Sequence, residues 1–298
     1  MPDPVFMTHI NYAFGHVNET FNGVRVDNPE RLKAIVALKK KNPMLKVLLS
    51  IGGWGSGRFS EMAADDSNRK SFARDCRRVL KEFGLDGIDI DWEYPTQSSA
   101  GISCSADDTD NFTLLMRDIR SAIGKRKLLT MASVGSAHFV NFTDCIGYLD
   151  FVNIMAYDMG NPPYHHSALY PSALKPHASS STCGEKHLAA GVPKEKIVLG
   201  MPFYGRGDRS KPILRDFVKT GVTDPEYTKC WDDTAKVPYL ADSDGKLVLG
   251  YENILSLTLK CKFIIEQGLR GGMYWDYESD NANHDEARTV FLMLLGLR

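Results

Sequence analysis

Short apolar, β-rich runs alternate with amphipathic stretches along nearly the whole chain, and that alternation admits few folds. Strands are expected over 6–14, 45–51, 86–92, 128–133, 150–156, 196–202 and 271–276. Between them, the run 68–83 places Phe72, Cys76, Val79, Leu80 and Phe83 at helical spacings of three and four. The run 107–123 does the same with Phe112, Leu115, Met116, Ile119 and Ile123. Repeated strand–helix units build a parallel sheet covered by helices. The expected fold is therefore an α/β chain of the (β/α)8 barrel type, for which 298 residues is a fitting length. A doubly wound open sheet is the second choice, but no Gly-x-Gly-x-x-Gly follows the first strand. Only seven barrel strands can be placed.

Charge narrows the partners. With 36 basic and 37 acidic side chains the formal charge is -1, which lacks the basic excess that phosphate backbones demand, so no nucleic-acid partner is expected. No run of about 18 apolar residues is present, so no membrane span is expected. Nor does the start, from Met1 to Phe14, carry a basic region followed by an apolar core of signal-peptide type. The six cysteines contain no Cys-x-x-Cys pair, which argues against a cysteine-based zinc or redox site; their pairing is open. A lone His165-His166 pair after Pro162-Pro163 suggests a loop rather than a metal site.

One stretch departs from the rhythm. Residues 207–250 carry Pro212, Gly221, Pro225, Pro238 and Gly245 among Phe217, Tyr227, Trp231 and Tyr239. A small β-rich insertion subdomain is expected there, walling a cleft at the barrel face where strands end. The barrel itself would then comprise residues 1–206 and 251–298.

The sharpest chemical signal is the run from Leu85 to Pro95, Leu-Asp-Gly-Ile-Asp-Ile-Asp-Trp-Glu-Tyr-Pro. Alternate strand residues repeat on one face about every 6.6 Å, so Asp89, Asp91 and Glu93 share one side while Ile88, Ile90 and Trp92 take the other. An acidic solvent-facing edge strand would be the bland explanation. The other strands, however, are continuous apolar runs, as expected of a sheet covered on both faces. Three inward acids in such a sheet are costly unless protonated, hydrogen-bonded or functional. A calcium loop is disfavoured because Tyr94 stands where its glycine belongs. Stacked carboxylates share protons and raise one another's pKa, which suits acid catalysis. Glu93, last on the strand, is placed to protonate a leaving group.

The pattern Asp86, Asp89, Asp91, Glu93 resembles the signature of glycoside hydrolase family 18 chitinases. Four further motifs agree in order: Ser50-Ile51-Gly52-Gly53-Trp54, Met155-Ala156-Tyr157-Asp158, Pro202-Phe203-Tyr204-Gly205-Arg206 and Gly271-Gly272-Met273-Tyr274-Trp275. The resemblance implies retaining, substrate-assisted hydrolysis of β-1,4-linked N-acetylglucosamine, outside the usual two-carboxylate scheme. By that resemblance Glu93 is the general acid and base, Asp91 orients the substrate acetamido group, Asp89 tunes protonation from below, and Tyr157 bonds the acetamido oxygen. Trp275 would form the floor beneath the scissile sugar, with Phe14 beside it. Asp158, Met155, Trp54, Tyr94, Tyr204 and Arg206 would complete the substrate-binding set. No metal or organic cofactor is implied, the partner is chitin or a chito-oligosaccharide, and a monomer is expected.

Two rivals share the scaffold: a chitin-binding lectin, which typically replaces the terminal acid, and an endo-β-N-acetylglucosaminidase acting on N-glycans. Intact Glu93, Asp91 and Tyr157 argue against the lectin. In the family a strand precedes the Thr8-His9-Ile10-Asn11-Tyr12-Ala13-Phe14 run, whereas here that run begins close to Met1. The expectation is that a first strand and a targeting signal lie upstream of this sequence, and that without them two strand edges stand open. Secretion, or display at a cell surface or in the periplasm, is expected from an insoluble substrate rather than from any residue.

Overall fold

A computed structural model describes residues 1–207, 211, 217–221 and 224–296. The chain forms two compact units, one of Met1–Ser133, Ala137–Val152 and Ala190–Val192, the other of Val134–Ser136, Asn153–Ala189 and Pro193–Arg298.

In the first unit the strands are β1 (His9–Val17), β2 (Val24–Val26), β3 (Lys46–Gly52), β4 (Gly87–Asp91) and all but the last residue of β5 (Leu128–Val134). β1, β3, β4 and β5 run parallel in that order, with Ser50 opposite Asp89 and Asp89 opposite Thr130. Val47, Leu48, Leu49 and Ile51 are fully buried, as expected when both faces of a parallel sheet are covered. The long helix Asp66–Phe83 starts two residues before its expected position because the Asp65 carboxylate caps it, accepting the Asn68 N–H at 2.8 Å. It buries the apolar stripe anticipated for it, and so does the helix Asp108–Ile123 except at Ile123, which is half-buried.

β2 was not anticipated. It pairs antiparallel with β1 over Gly15–Val17, on the side of β1 away from β3. The Asn18 side chain builds the turn, accepting the N–H groups of Asn22 at 3.0 Å and Gly23 at 3.2 Å. The edge of β1 that was expected to stand open is thus covered at its C-terminal end.

The second unit holds Asn153–Met155 of β6 (Phe151–Met155), β7 (Ile197–Pro202) and a parallel partner of β7 at Gly271–Trp275. Between these lies a separate antiparallel sheet of β8 (Arg206–Gly207), β9 (Thr228–Asp232), β10 (Val237–Ala241) and β11 (Leu247–Gly250), which makes the parallel strand at Gly271–Trp275 β12. Phe217, Tyr227, Leu240, Leu249 and Tyr251 form an apolar core of their own. The anticipated β-rich excursion is therefore present as a sheet; Pro212, placed in it from sequence, lies outside the described residues. The helix Ile254–Gln267 opens on a reciprocal Asn253–Ser256 capping box and stops at Gly268, whose φ is 66°. The closing helix expected over 285–297 is Asp285–Leu294, and Leu297 is outside the described residues.

All seven expected strands are present, each within three residues of its predicted limits. No described helix is long and apolar enough to cross a membrane. All six cysteines are free.

Candidate active site

Strand register assembles the acidic ladder. Because Asp89 sits between Ser50 on β3 and Thr130 on β5, both hydroxyls reach it: Ser50 donates to one carboxylate oxygen at 2.7 Å and Thr130 to the other at 2.5 Å. Asp89 is 2% exposed and Asp91, one rung above, 7%. Asp91 Oδ1 is buried with no hydrogen-bond partner among the described residues. Burial, then the charges of Glu93 and Asp89, push the Asp91 carboxyl well above the usual carboxylate range. Those surroundings favour the protonated form of the Asp91 carboxyl.

Glu93 is not the last residue of the strand, as its alternation suggested. β4 ends at Asp91, and Trp92 turns its ring away to stack on Phe59 at 5.3 Å. Glu93 follows as a bend, at the C-terminal end where parallel α/β sheets place their chemistry. The neighbouring strand end is shaped by glycine. A Cβ at Gly52, whose φ is 129°, would lie 1.9 Å from the Asp91 carbonyl oxygen, and the Gly53 N–H donates to that oxygen at 2.9 Å. Asp86, the first acid of the motif, does a different job: it accepts the Val47 N–H at 2.8 Å and pairs with Lys39 at 2.6 Å.

Aromatic rings flank this strand end within the first unit. Phe14 lies so near Gly53 that a Cβ there would come within 2.8 Å of its ring. Trp54 is 63% exposed and meets Tyr94 edge to face at 6.4 Å; Tyr94 stacks on Phe139 at 5.6 Å. A cavity of about 280 Å³ is lined by Phe14 and Trp54 together with His16, Arg25, Ser56 and Arg58.

The second unit brings together a polar cluster. Asp158 is held at a left-handed φ of 54° and receives the Tyr204 hydroxyl at 2.8 Å and Arg206 Nε at 2.6 Å. Burial alone would raise its pKa, but the imidazole, guanidinium and phenol of His166, Arg206 and Tyr204 hold it well below the usual carboxylate range. Tyr157 stands edge-on to Tyr204 at 6.3 Å, with its hydroxyl 4.0 Å from Met273 Sδ. Gly200 makes room for it, since a Cβ there would approach the Tyr157 ring to 2.8 Å. Met155 ends β6, and Trp275, 36% exposed, ends β12.

A family model for glycosyl hydrolases family 18 matches residues 2–280. The chain belongs to that family. Among curated proteins it is 33% identical to Chitinase A1 of Niallia circulans, over 88% of this chain and 45% of that protein. It is 31% identical to Chitotriosidase-1 of Mus musculus, over 94% of this chain and 68% of that one. This chain thus spans less than half of the first relative's length. Among solved structures, a family 18 N-acetylglucosaminidase from Paenibacillus barengoltzii superposes with a TM-score of 0.87 at 34% identity, covering 97% of this chain and 94% of that chain.

Within this family 18 chain, the structure groups Asp89, Asp91, Glu93, Phe14, Trp54 and Tyr94 in one unit and Met155, Tyr157, Asp158, Tyr204, Arg206 and Trp275 in the other. Sequence reasoning did not single out Thr130 or Phe139, and it read His166 as part of a loop. Thr130 was recoverable, because its register opposite Asp89 follows from pairing the two predicted strands. Phe139 had no such signal: it lies in a loop at a φ of 74°. His166 does lie in a loop, as expected, but is only 1% exposed.

Proposed function

We propose that this family 18 chain is a chitinase that hydrolyses β-1,4-linked N-acetylglucosamine with retention of configuration. The observation that carries this reading is the acidic ladder itself, with Asp91 buried on β4 between Asp89, held by the Ser50 and Thr130 hydroxyls, and Glu93 just past the strand end. Glu93 protonates the glycosidic oxygen, and the substrate's own acetamido oxygen attacks the anomeric carbon to give an oxazolinium-like intermediate. Asp91 holds the acetamido N–H and, once Glu93 has given up its proton, shares its own with Glu93, leaving negative charge that offsets the positive charge that develops. Asp89, clamped by Ser50 and Thr130, sets the protonation of the rung above. Glu93 then takes a proton from the incoming water. Tyr157 hydrogen-bonds the acetamido oxygen and Asp158 contacts the sugar. Trp275, Phe14, Trp54, Tyr94, Met155, Tyr204 and Arg206 form the sugar-binding set, which needs no metal or organic cofactor. Residues 1–206 and 251–298 are taken as the catalytic barrel, with 207–250 as its insertion, acting as a monomer. Export from the producing cell follows from the insolubility of the polymer.

A second reading is favoured by one observation, the likeness to a family 18 N-acetylglucosaminidase over 94% of that chain. Product analysis separates the two. Release of fluorophore from chito-oligosaccharides by the parent and its loss in Glu93→Gln supports a hydrolase with Glu93 as the acid. Chitobiose and longer products point to chitinase, monomers alone to N-acetylglucosaminidase. Binding without turnover by the parent chain would instead favour a lectin.

A further inference from the structure

His166 is a buried histidine with an unmet need. It is 1% exposed, and neither ring nitrogen has a hydrogen-bond partner among the described residues. Leaving such a group unsatisfied is costly, so its retention beside Asp158 calls for a reason. Its Nδ1 lies 3.6 Å from Asp158 Oδ1, near enough to favour the carboxylate electrostatically but too far for a formed hydrogen bond. That same oxygen is already taken by the Tyr204 hydroxyl and Arg206 Nε. The His166 ring lies 5.6 Å from that of Tyr204, and its backbone carbonyl accepts the Met159 N–H at 3.0 Å, tying it to the residue after Asp158.

What surrounds the ring leaves it little freedom. A Cβ on Gly250 of β11 would come within 3.2 Å of His166 Cδ2. Nearby, Ser167 donates to Glu252 at 2.6 Å, Ser256 donates to its other oxygen at 2.6 Å, and Lys260 pairs with Glu252 while donating to the Ser167 carbonyl at 2.5 Å. Glu252 and Lys260 are therefore satisfied by one another. Of the charged groups acting on His166, namely Asp158, Glu252 and Lys260, only Asp158 has a carboxylate close to the ring that can exchange partners.

We propose that His166 is a positioning residue for Asp158, supplying from Nδ1 the hydrogen bond that the carboxylate takes up when a bound sugar draws Tyr204 and Arg206 away. The proposal rests on the reading above that Asp158, Tyr204 and Arg206 meet the sugar. In the resting state the carboxylate faces phenol and guanidinium, and the imidazole waits at 3.6 Å. When those donors turn to sugar hydroxyls, a small side-chain rotation brings Asp158 onto the imidazole N–H. The carboxylate stays oriented and is never left without a donor. Burial lowers the His166 pKa and the Asp158 charge raises it, the former prevailing, so the ring serves as a neutral donor at neutral pH.

Two measurements on the full chain decide this. The first is steady-state turnover of chito-oligosaccharides by His166→Leu, which fills the space without a donor, and His166→Asn, whose amide nitrogen falls near Nδ1. Loss of a hydrogen bond to a charged group predicts a KM roughly tenfold or more higher in the leucine variant with kcat within about twofold. The asparagine variant is expected to recover the KM. A fall in kcat with a rise in KM in both variants alike, or no change in either constant, would overturn the proposal in favour of simple packing. The second is NMR titration of the His166 ring in the parent and in Asp158→Asn, which needs no turnover. Removing the carboxylate should move the ring's midpoint lower still; identical midpoints would overturn the coupling. A parent chain that cleaves no chito-oligosaccharide fails the chitinase reading, whereas the titration still decides the His166–Asp158 pairing.

Discussion

Glu286 offers the most quantitative test of how this chain handles buried charge. It sits in the closing helix, 6% exposed, with Oε2 unpartnered among the described residues. Burial first, then the nearby charges of Asp280, Glu252 and Asp285, push its pKa from 4.5 up to about 9. In the unfolded chain the carboxyl ionises near its ordinary value; in the folded chain it keeps its proton. The folded state thus binds more protons between those limits, and stability must fall as pH rises through that window. Each pH unit is worth about 1.4 kcal/mol, so from pH 5 to pH 8 this one group costs up to about 4 kcal/mol. Glu286→Gln keeps the shape and removes the ionisation. Equilibrium denaturation of parent and variant should give similar stabilities at pH 5 and a variant more stable by about 2–4 kcal/mol at pH 8. Comparing the two proteins cancels every other titrating group. A parent–variant difference that stays flat across the range would refute the burial argument.

Other expectations are simpler. Asp91→Asn should lower chito-oligosaccharide turnover by orders of magnitude while the chain denatures no more easily than the parent, since the substitution removes a buried acid rather than packing; near-normal rates would contradict substrate assistance. Lys260→Met should lower stability by about 3–5 kcal/mol by stranding Glu252, and most of that should return in the double variant with Glu252→Gln, as thermal denaturation would show. Phe72→Ala removes a fully buried ring from the helix Asp66–Phe83 and should cost about 3–5 kcal/mol in urea titrations. Gly200→Ala should impair turnover more than folding if the Tyr157 ring is pushed aside, a KM and kcat measurement beside a melting curve.

The alternation of apolar and amphipathic runs was enough to locate every parallel strand, because continuous burial leaves a continuous apolar record, as along Val47 to Ile51. β2 left a weaker trace: three residues and an Asn22-Gly23 turn, with the decisive bonds coming from the side chain of Asn18. The ladder acids were legible from period two alone, yet where β4 stops was not. That depends on Trp92 finding Phe59 and Phe112, which are distant in sequence. Asp86 looked like a fourth member of the motif, but Lys39 and the Val47 N–H claim it. His166 was unreadable for a related reason. Adjacent histidines say nothing of burial, which here comes from the β11 backbone and from elements nearly a hundred residues away, as the Ser167–Lys260 contact illustrates.

The hydroxyl clamp on Asp89 has a consequence for isotope chemistry. Ser50 and Thr130 each point a proton at Asp89, so both of its oxygens act as acceptors and it makes a poor resting place for a third proton. The exchangeable hydrogen of the ladder is then confined to Asp91 and Glu93, above the clamp. Turnover in mixtures of light and heavy water should accordingly vary linearly with deuterium fraction, the mark of one hydrogen in flight. Opening the clamp, as in Thr130→Val, would let a second hydrogen settle on Asp89 and move together with the first, which would bend the line.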